Sequence, residues 1–273
     1  MEKQIFGATD IEVARIGQGT WNLEKSNLKQ VKEAVHHGID LGMTHIDTAE
    51  MYGNGAVERV LGQVLRGIRE KVFLVSKVLP KNATYEGTIQ ACESSLRRMG
   101  TDHLDCYLLH WHEEHPLEGT LQAFEKLLSD GKIKSFGVSN FSVAELQTAI
   151  DIVGPNKIAC NQVEYFLQNR EIEKDLIPFC QQNKIAVVAY SPFGDKRFPG
   201  PFSRGGRALK LLGQEQNVSS RCVALRFLMQ KGGVFVIPKA AKRKHIEDNA
   251  KAGRFVLSAN QMAEIEKLFP ANL

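Results

Sequence analysis

Short, almost wholly apolar runs alternate along this chain with longer segments in which apolar residues recur every three or four positions. The runs at 72–75, 104–109, 185–190 and 234–237 are too apolar to alternate, as expected of parallel strands buried on both faces. Between them lie amphipathic patterns, one carrying Ile89, Cys92, Leu96 and Met99 and another Leu117, Leu121, Phe124 and Leu128, each long enough to cross back over a sheet. Weaker strands fit at 14–19, 44–47, 133–139 and 158–163, with helices near 27–42, 55–66, 84–99, 117–130, 142–152, 172–183, 219–231 and 242–252. Eight strand–helix units predict an α/β fold, a (β/α)8 TIM barrel. Outside the repeat stand an N-terminal β-hairpin near 3–14 turning at Thr9-Asp10, an extra helix near 205–216, and an extra C-terminal helix bearing Met262, Ile265 and Leu268. An open doubly wound sheet is the rival, but its Gly-x-Gly-x-x-Gly turn is not completed after Gly17-Gln18-Gly19 or Gly53-Asn54-Gly55.

Composition narrows the picture without changing it. The 273 residues suit one such barrel over 1–273, with no Gly/Ser/Pro-rich linker. A net charge of +4, with basic and acidic residues interleaved, gives no global reason to expect nucleic acid or a membrane surface as partner. Five widely spaced cysteines without a Cys-x-x-Cys pair argue against disulfides and zinc knuckles. With no apolar leader at the start and no long apolar run, a cytoplasmic protein is expected, and the three Asn-x-Ser/Thr sites then carry no meaning. A monomer is the default expectation for the oligomeric state.

Barrel enzymes place their chemistry at the carboxyl ends of the strands. Read in order, those ends are Gly19-Thr20-Trp21, Asp47, Lys77, His110, Ser139-Asn140, Gln162, Tyr190-Ser191 and Lys239. Polar groups in register at nearly every strand converge on one mouth, and Tyr52 follows Asp47 on a loop able to fold over it. A tyrosine with a pKa near ~10 is a poor proton donor at neutral pH; a nearby ammonium stabilises its phenolate, at ~1.4 kcal/mol per pKa unit. Lys77 can supply that charge, Asp47 can keep the lysine protonated, and His110 can orient a carbonyl oxygen or relay a proton. Each residue also has a structural reading: Asp47 as a helix cap, Lys77 as a solvated strand end, Tyr52 as packing. It is the combination that points to chemistry.

The segments that carry this combination resemble the aldo-keto reductase family over essentially the whole chain. They are Gly17-Gln18-Gly19-Thr20-Trp21, His45-Ile46-Asp47-Thr48-Ala49-Glu50-Met51-Tyr52-Gly53, Val75-Ser76-Lys77, Leu108-Leu109-His110-Trp111, Gly137-Val138-Ser139-Asn140-Phe141, Asn161-Gln162-Val163, Ala189-Tyr190-Ser191-Pro192 and Ile237-Pro238-Lys239. The resemblance implies a catalytic tetrad of Asp47, Tyr52, Lys77 and His110, with Tyr52 as general acid. It implies NADP(H) as cofactor, its carboxamide bonded by Ser139, Asn140 and Gln162 and its nicotinamide ring stacked on Tyr190, with Gly19, Thr20 and Ser191 nearby and no metal. At the phosphate end, where many members carry Ser and then Arg, Glu and Asn, this chain has Ala240, His245, Asp248 and Asn249. It looks like a prokaryotic branch that includes reductases of methylglyoxal and keto-sugar acids, with His245 a planar substitute for an adenine-stacking arginine.

Lys239, Lys242, Arg243 and Lys244 fall within six residues ahead of a helix start, a basic setting for a 2′-phosphate that predicts NADP(H) over NAD(H). Arg197 and Arg204 are candidate clamps for the pyrophosphate. Trp21, Met51 and Trp111 are expected to line a shallow apolar pocket. The loop after Trp111 is short before Leu117, and five residues follow Leu268, so small carbonyl substrates such as methylglyoxal are expected rather than steroids. Three alternatives stay open: a Schiff-base barrel enzyme using Lys77, a cofactor-binding regulatory subunit without turnover, and a metal site in the stretch from His110 through His112, Glu113 and Glu114 to His115.

Overall fold

A computed structural model describes residues 1–113 and 115–271, leaving Glu114 of the His/Glu-rich stretch outside the described residues. An antiparallel hairpin, β1 (Lys3–Ile5) and β2 (Glu12–Ala14), opens the fold. Eight parallel strands follow: β3 (Gln18–Gly19), β4 (His45–Asp47), β5 (Phe73–Val78), β6 (Cys106–Leu109), β7 (Phe136–Ser139), β8 (Ile158–Glu164), β9 (Ala186–Tyr190) and β10 (Phe235–Val236). Each pairs with its sequence neighbour, and parallel bridges Ile16–Val236 and Gly19–Lys239 join the first to the last. The ring is thus the expected (β/α)8 barrel. A Cβ on Gly19 would stand 2.6 Å from the Ile237 carbonyl oxygen, so closure at this seam requires glycine.

The helices are α1 (Leu28–Asp40), α2 (Ala56–Val64), α3 (Tyr85–Met99), α4 (Leu117–Ser129), α5 (Val143–Val153), α6 (Leu176–Gln182), α7 (Arg204–Glu215), α8 (Ser220–Gln230), α9 (Arg243–Lys251) and α10 (Ala259–Leu268). Polar caps start many of them: Asn27, Thr84, Ser203 and Ser219 accept from backbone N–H groups of the first turn, while Ser142–Glu145 and Ser258–Gln261 form reciprocal capping boxes. The helices α7 and α10 are the two additions expected outside the repeat.

Barrel strands are buried on both faces because their side chains alternate between two cores. Val75, Cys106, Leu108, Cys160, Val188 and Phe235 fill the barrel interior. Leu74, Tyr107, Leu109, Val187 and Val236 point outward against the helices. Phe6 of the hairpin plugs the amino-terminal end, packing 4.9 Å from Phe73, 5.2 Å from Phe235 and 5.8 Å from His45. All five cysteines are free and buried.

Three element expectations need correction. The strand at 14–19 is two pieces: Ala14 belongs to the hairpin and Gln18–Gly19 to the barrel, the turn between them held by the Arg15 guanidinium on the carbonyls of Met229 and Val234. The strand at 133–139 begins only at Phe136, with Ile133 reduced to an isolated bridge to Leu104. The helix at 172–183 is a single 3-10 turn (Glu171–Glu173) followed by α6, because Pro178 lacks an N–H and fits only within a helix's first turn.

Candidate active site

The carboxyl ends of the strands open into one cavity of about 670 Å³. Its walls include Gly19, Thr20, Trp21, Asp47, Met51, Tyr52, His110, Trp111, Ser139, Asn140, Gln162, Tyr190, Ser191 and Lys239, fourteen residues singled out from the sequence. Lys77 lies fully buried behind Asp47. Asn22, Phe193 and Asp195 also face the cavity and escape the sequence reading: they sit in loops, where no periodicity marks orientation.

The loop after β4 carries Tyr52 to this site because it is bonded to β5: Thr48 N–H donates to Val75 O at 2.9 Å and Glu50 N–H to Lys77 O at 3.3 Å. A tight turn, with Tyr52 N–H on Ala49 O at 3.0 Å, then points the phenol inward. Its ring meets Trp21 edge-on at 4.8 Å and His110 at 6.1 Å. Beneath it, Lys77 Nζ stands 5.3 Å from the ring centroid and donates to Asp47 Oδ1 and to Thr48 O, each at 2.7 Å. Gln162 Nε2 donates to the other Asp47 oxygen at 2.7 Å, and the Thr20 hydroxyl to the Asp47 carbonyl, also at 2.7 Å. Both oxygens of this buried carboxylate are therefore engaged.

The charges follow from these contacts. Burial alone would strip the Lys77 proton, but Asp47 and Tyr52 outweigh it and hold the lysine above its ordinary value. Such an ammonium is the opposite of the free amine a Schiff base needs. Burial pushes the Tyr52 phenol up, and Lys77 opposes that rise without cancelling it, so the phenol keeps its proton at neutral pH. The lysine's effect on the tyrosine thus has the expected sign, yet desolvation is the larger force. Burial first and Lys77 second lower His110 to about 3, leaving a neutral imidazole whose Nδ1 has no hydrogen-bond partner among the described residues.

Across the cavity, Asn140 adopts a left-handed backbone (φ 62°) immediately after β7, a conformation asparagine tolerates well. Its amide donates to His110 O and to Ser139 Oγ, each at 3.2 Å, and its Oδ1 accepts from the Tyr190 hydroxyl at 2.9 Å. Ser139 Oγ donates to Gln162 O at 2.8 Å. Two side-chain carboxamides, a serine hydroxyl and a half-buried phenol ring on one wall fit a planar carboxamide-bearing ring, which needs donors, acceptors and a flat apolar face together.

The residues expected at the phosphate end are spread over the cavity wall, the first turn of α9 and its buried face. Lys239 reaches the cavity wall, whereas Lys242, His245 and Asn249 are not among its lining residues: Lys242 stands just before α9, His245 lies exposed on its first turn, and Asn249 is buried. Arg197 turns away to Glu164 at 2.6 Å and lies 4.2 Å over Phe166, and Arg204 begins α7 without lining the cavity. Among the described residues no group of three or more His, Cys, Asp or Glu side chains is placed to hold a metal ion, and no helix is long and apolar enough to cross a membrane.

Known proteins resemble this chain over nearly its whole length. The chain is 43% identical to methylglyoxal reductase YeaE of Escherichia coli over 99% of its own length and 96% of that protein's. It is 34% identical to a glyoxal reductase of Bacillus subtilis, covering 94% of this chain and 90% of that one. An aldo/keto reductase from Klebsiella pneumoniae solved in complex with NADP and acetate superposes with a TM-score of 0.92 at 39% identity, over 99% of this chain and 96% of the other. The model of the aldo/keto reductase family matches residues 15–269, and the chain belongs to that family.

Proposed function

We propose that this protein reduces small aldehydes, ketones and dicarbonyls with NADPH. One observation carries the reading: a neutral His110, a protonated Tyr52 and a buried Lys77–Asp47 pair meet at the end of a cavity whose opposite wall suits a nicotinamide. The names of the Escherichia coli and Klebsiella pneumoniae relatives support it.

When bound, the cofactor supplies the hydride that adds to the carbonyl carbon. Ser139, Asn140 and Gln162 would hold its carboxamide, and Tyr190 would stack on its ring. Tyr52 gives its phenol proton to the carbonyl oxygen, so the product leaves as an alcohol. The phenolate left behind faces Lys77, whose positive charge is fixed by Asp47 and stabilises it most where water is excluded. His110 is neutral and donates through one ring nitrogen to the same carbonyl oxygen, orienting it without competing as an acid. Lys239, which lines the cavity, would meet the 2′-phosphate.

The reading is tested by following consumption of reduced cofactor by purified protein with methylglyoxal, other small aldehydes and a steroid ketone. Turnover of the small carbonyls with the highest kcat/KM is expected. Cofactor binding without turnover of any carbonyl would overturn the reductase reading in favour of a regulatory subunit.

A further inference from the structure

Resting on the reductase reading, the charges around the substrate end of the cavity lead to a finer one. Among the cavity-lining side chains, Trp21 and His110 pack against Tyr52 and Trp111 packs against His110, and none of these three is cationic. The ammonium of Lys77 is matched by Asp47, and Lys239 lines the cavity at the seam where it bridges to Gly19. Trp111 packs edge-on against His110 at 4.9 Å, and its indole Nε1–H, the one polar group it could offer a substrate, donates to Glu113 Oε2 at 3.3 Å. A second carboxylate, Glu145, stands 3.9 Å from His112 on the same rim.

We propose that Glu113 is a specificity-determining residue: by occupying the Trp111 indole N–H and placing a negative charge at the rim, it selects neutral carbonyl compounds over those bearing a remote carboxylate or phosphate. An anionic substrate meets repulsion from Glu113 and finds the indole donor already taken. A neutral aldehyde or dicarbonyl meets no such repulsion. Because Glu113 is solvent-exposed, its effect is that of a screened charge several ångströms away, about three- to tenfold in kcat/KM at low salt.

The experiment compares benzaldehyde with 4-carboxybenzaldehyde, which share a reacting centre and differ in a remote carboxylate. The ratio of their kcat/KM values is measured within wild type, Glu113→Gln and Glu113→Lys, at low ionic strength and in about 1 M NaCl, where charges are screened beyond about 3 Å. In wild type the ratio should favour benzaldehyde. It should fall about threefold or more in Glu113→Gln and further in Glu113→Lys, with the three proteins converging at high salt. A ratio unchanged in both variants, or one that shifts equally at low and high salt, would overturn the charge filter while leaving carbonyl reduction intact. Failure of wild type to reduce benzaldehyde or any other neutral aldehyde would overturn the reductase reading, and this proposal with it.

Discussion

Gln162 donates its amide to Asp47 Oδ2 at 2.7 Å, tying the wall formed by Ser139, Asn140 and Gln162 directly to the carboxylate that holds Lys77 charged. The two residues are 115 positions apart in sequence and both are buried, so the bond is formed in a medium where an unmet polar group is costly. Replacing Gln162 with leucine should cost about 1–3 kcal/mol through the unsatisfied carboxylate oxygen. It should also weaken NADPH binding. Denaturant unfolding and fluorescence titration check the two effects separately, and a fully stable Gln162→Leu would show that water takes over the bond.

Tyr52→Phe removes the proposed proton donor but keeps the ring that packs on Trp21 and His110. Carbonyl reduction should fall by ~10²–10⁴ with fold and cofactor affinity retained, the usual scale for losing a general acid. Steady-state kinetics alongside cofactor titration decide it; turnover within a few-fold of wild type would assign the proton to another group.

Lys239 is the cation of the basic segment after β10 that reaches the cavity. A hydrogen bond to a charged group contributes ~1.5–3 kcal/mol, so Lys239→Ala should weaken NADPH binding by roughly ten- to a hundredfold and leave NADH nearly unaffected. Equal weakening of both cofactors would show that Lys239 does not read the 2′-phosphate. Lys242→Ala, outside the cavity wall, should matter less.

His45 lies fully buried beside Phe6, Phe73 and Phe235, with neither ring nitrogen partnered among the described residues, and burial lowers it from 6.5 to about 4. Between those values the unfolded chain takes up a proton that the folded chain refuses. Stability is therefore full above about pH 6.5 and is lost as the pH falls toward 4, by about 3 kcal/mol from this residue alone. His110, lowered to about 3, adds a loss of the same sign. Unfolding free energies at pH 7 and 4.5 should show the drop, and His45→Leu should flatten it; an unchanged slope in that variant would remove His45 as its source.

The repeat of apolar runs and amphipathic segments was enough to determine the barrel, because a strand buried on both faces and a helix buried on one leave different signatures in local sequence. It also placed Asp47, Lys77, His110, Ser139, Gln162 and Tyr190 at one rim, since strand ends in a barrel share a face. The weak strands blurred where chain direction is set by distant partners: the break after Ala14 depends on Arg15 reaching Met229 and Val234, more than two hundred residues away. Tertiary structure alone decided the rest of the site. The Gln162–Asp47 bond, the net rise of the Tyr52 phenol, the turn of Arg197 to Glu164 and the position of Lys239 rather than Lys242 on the cavity wall all depend on distances and burial. Residue types state which charges exist; only their separation in a low-dielectric space states which of them prevails.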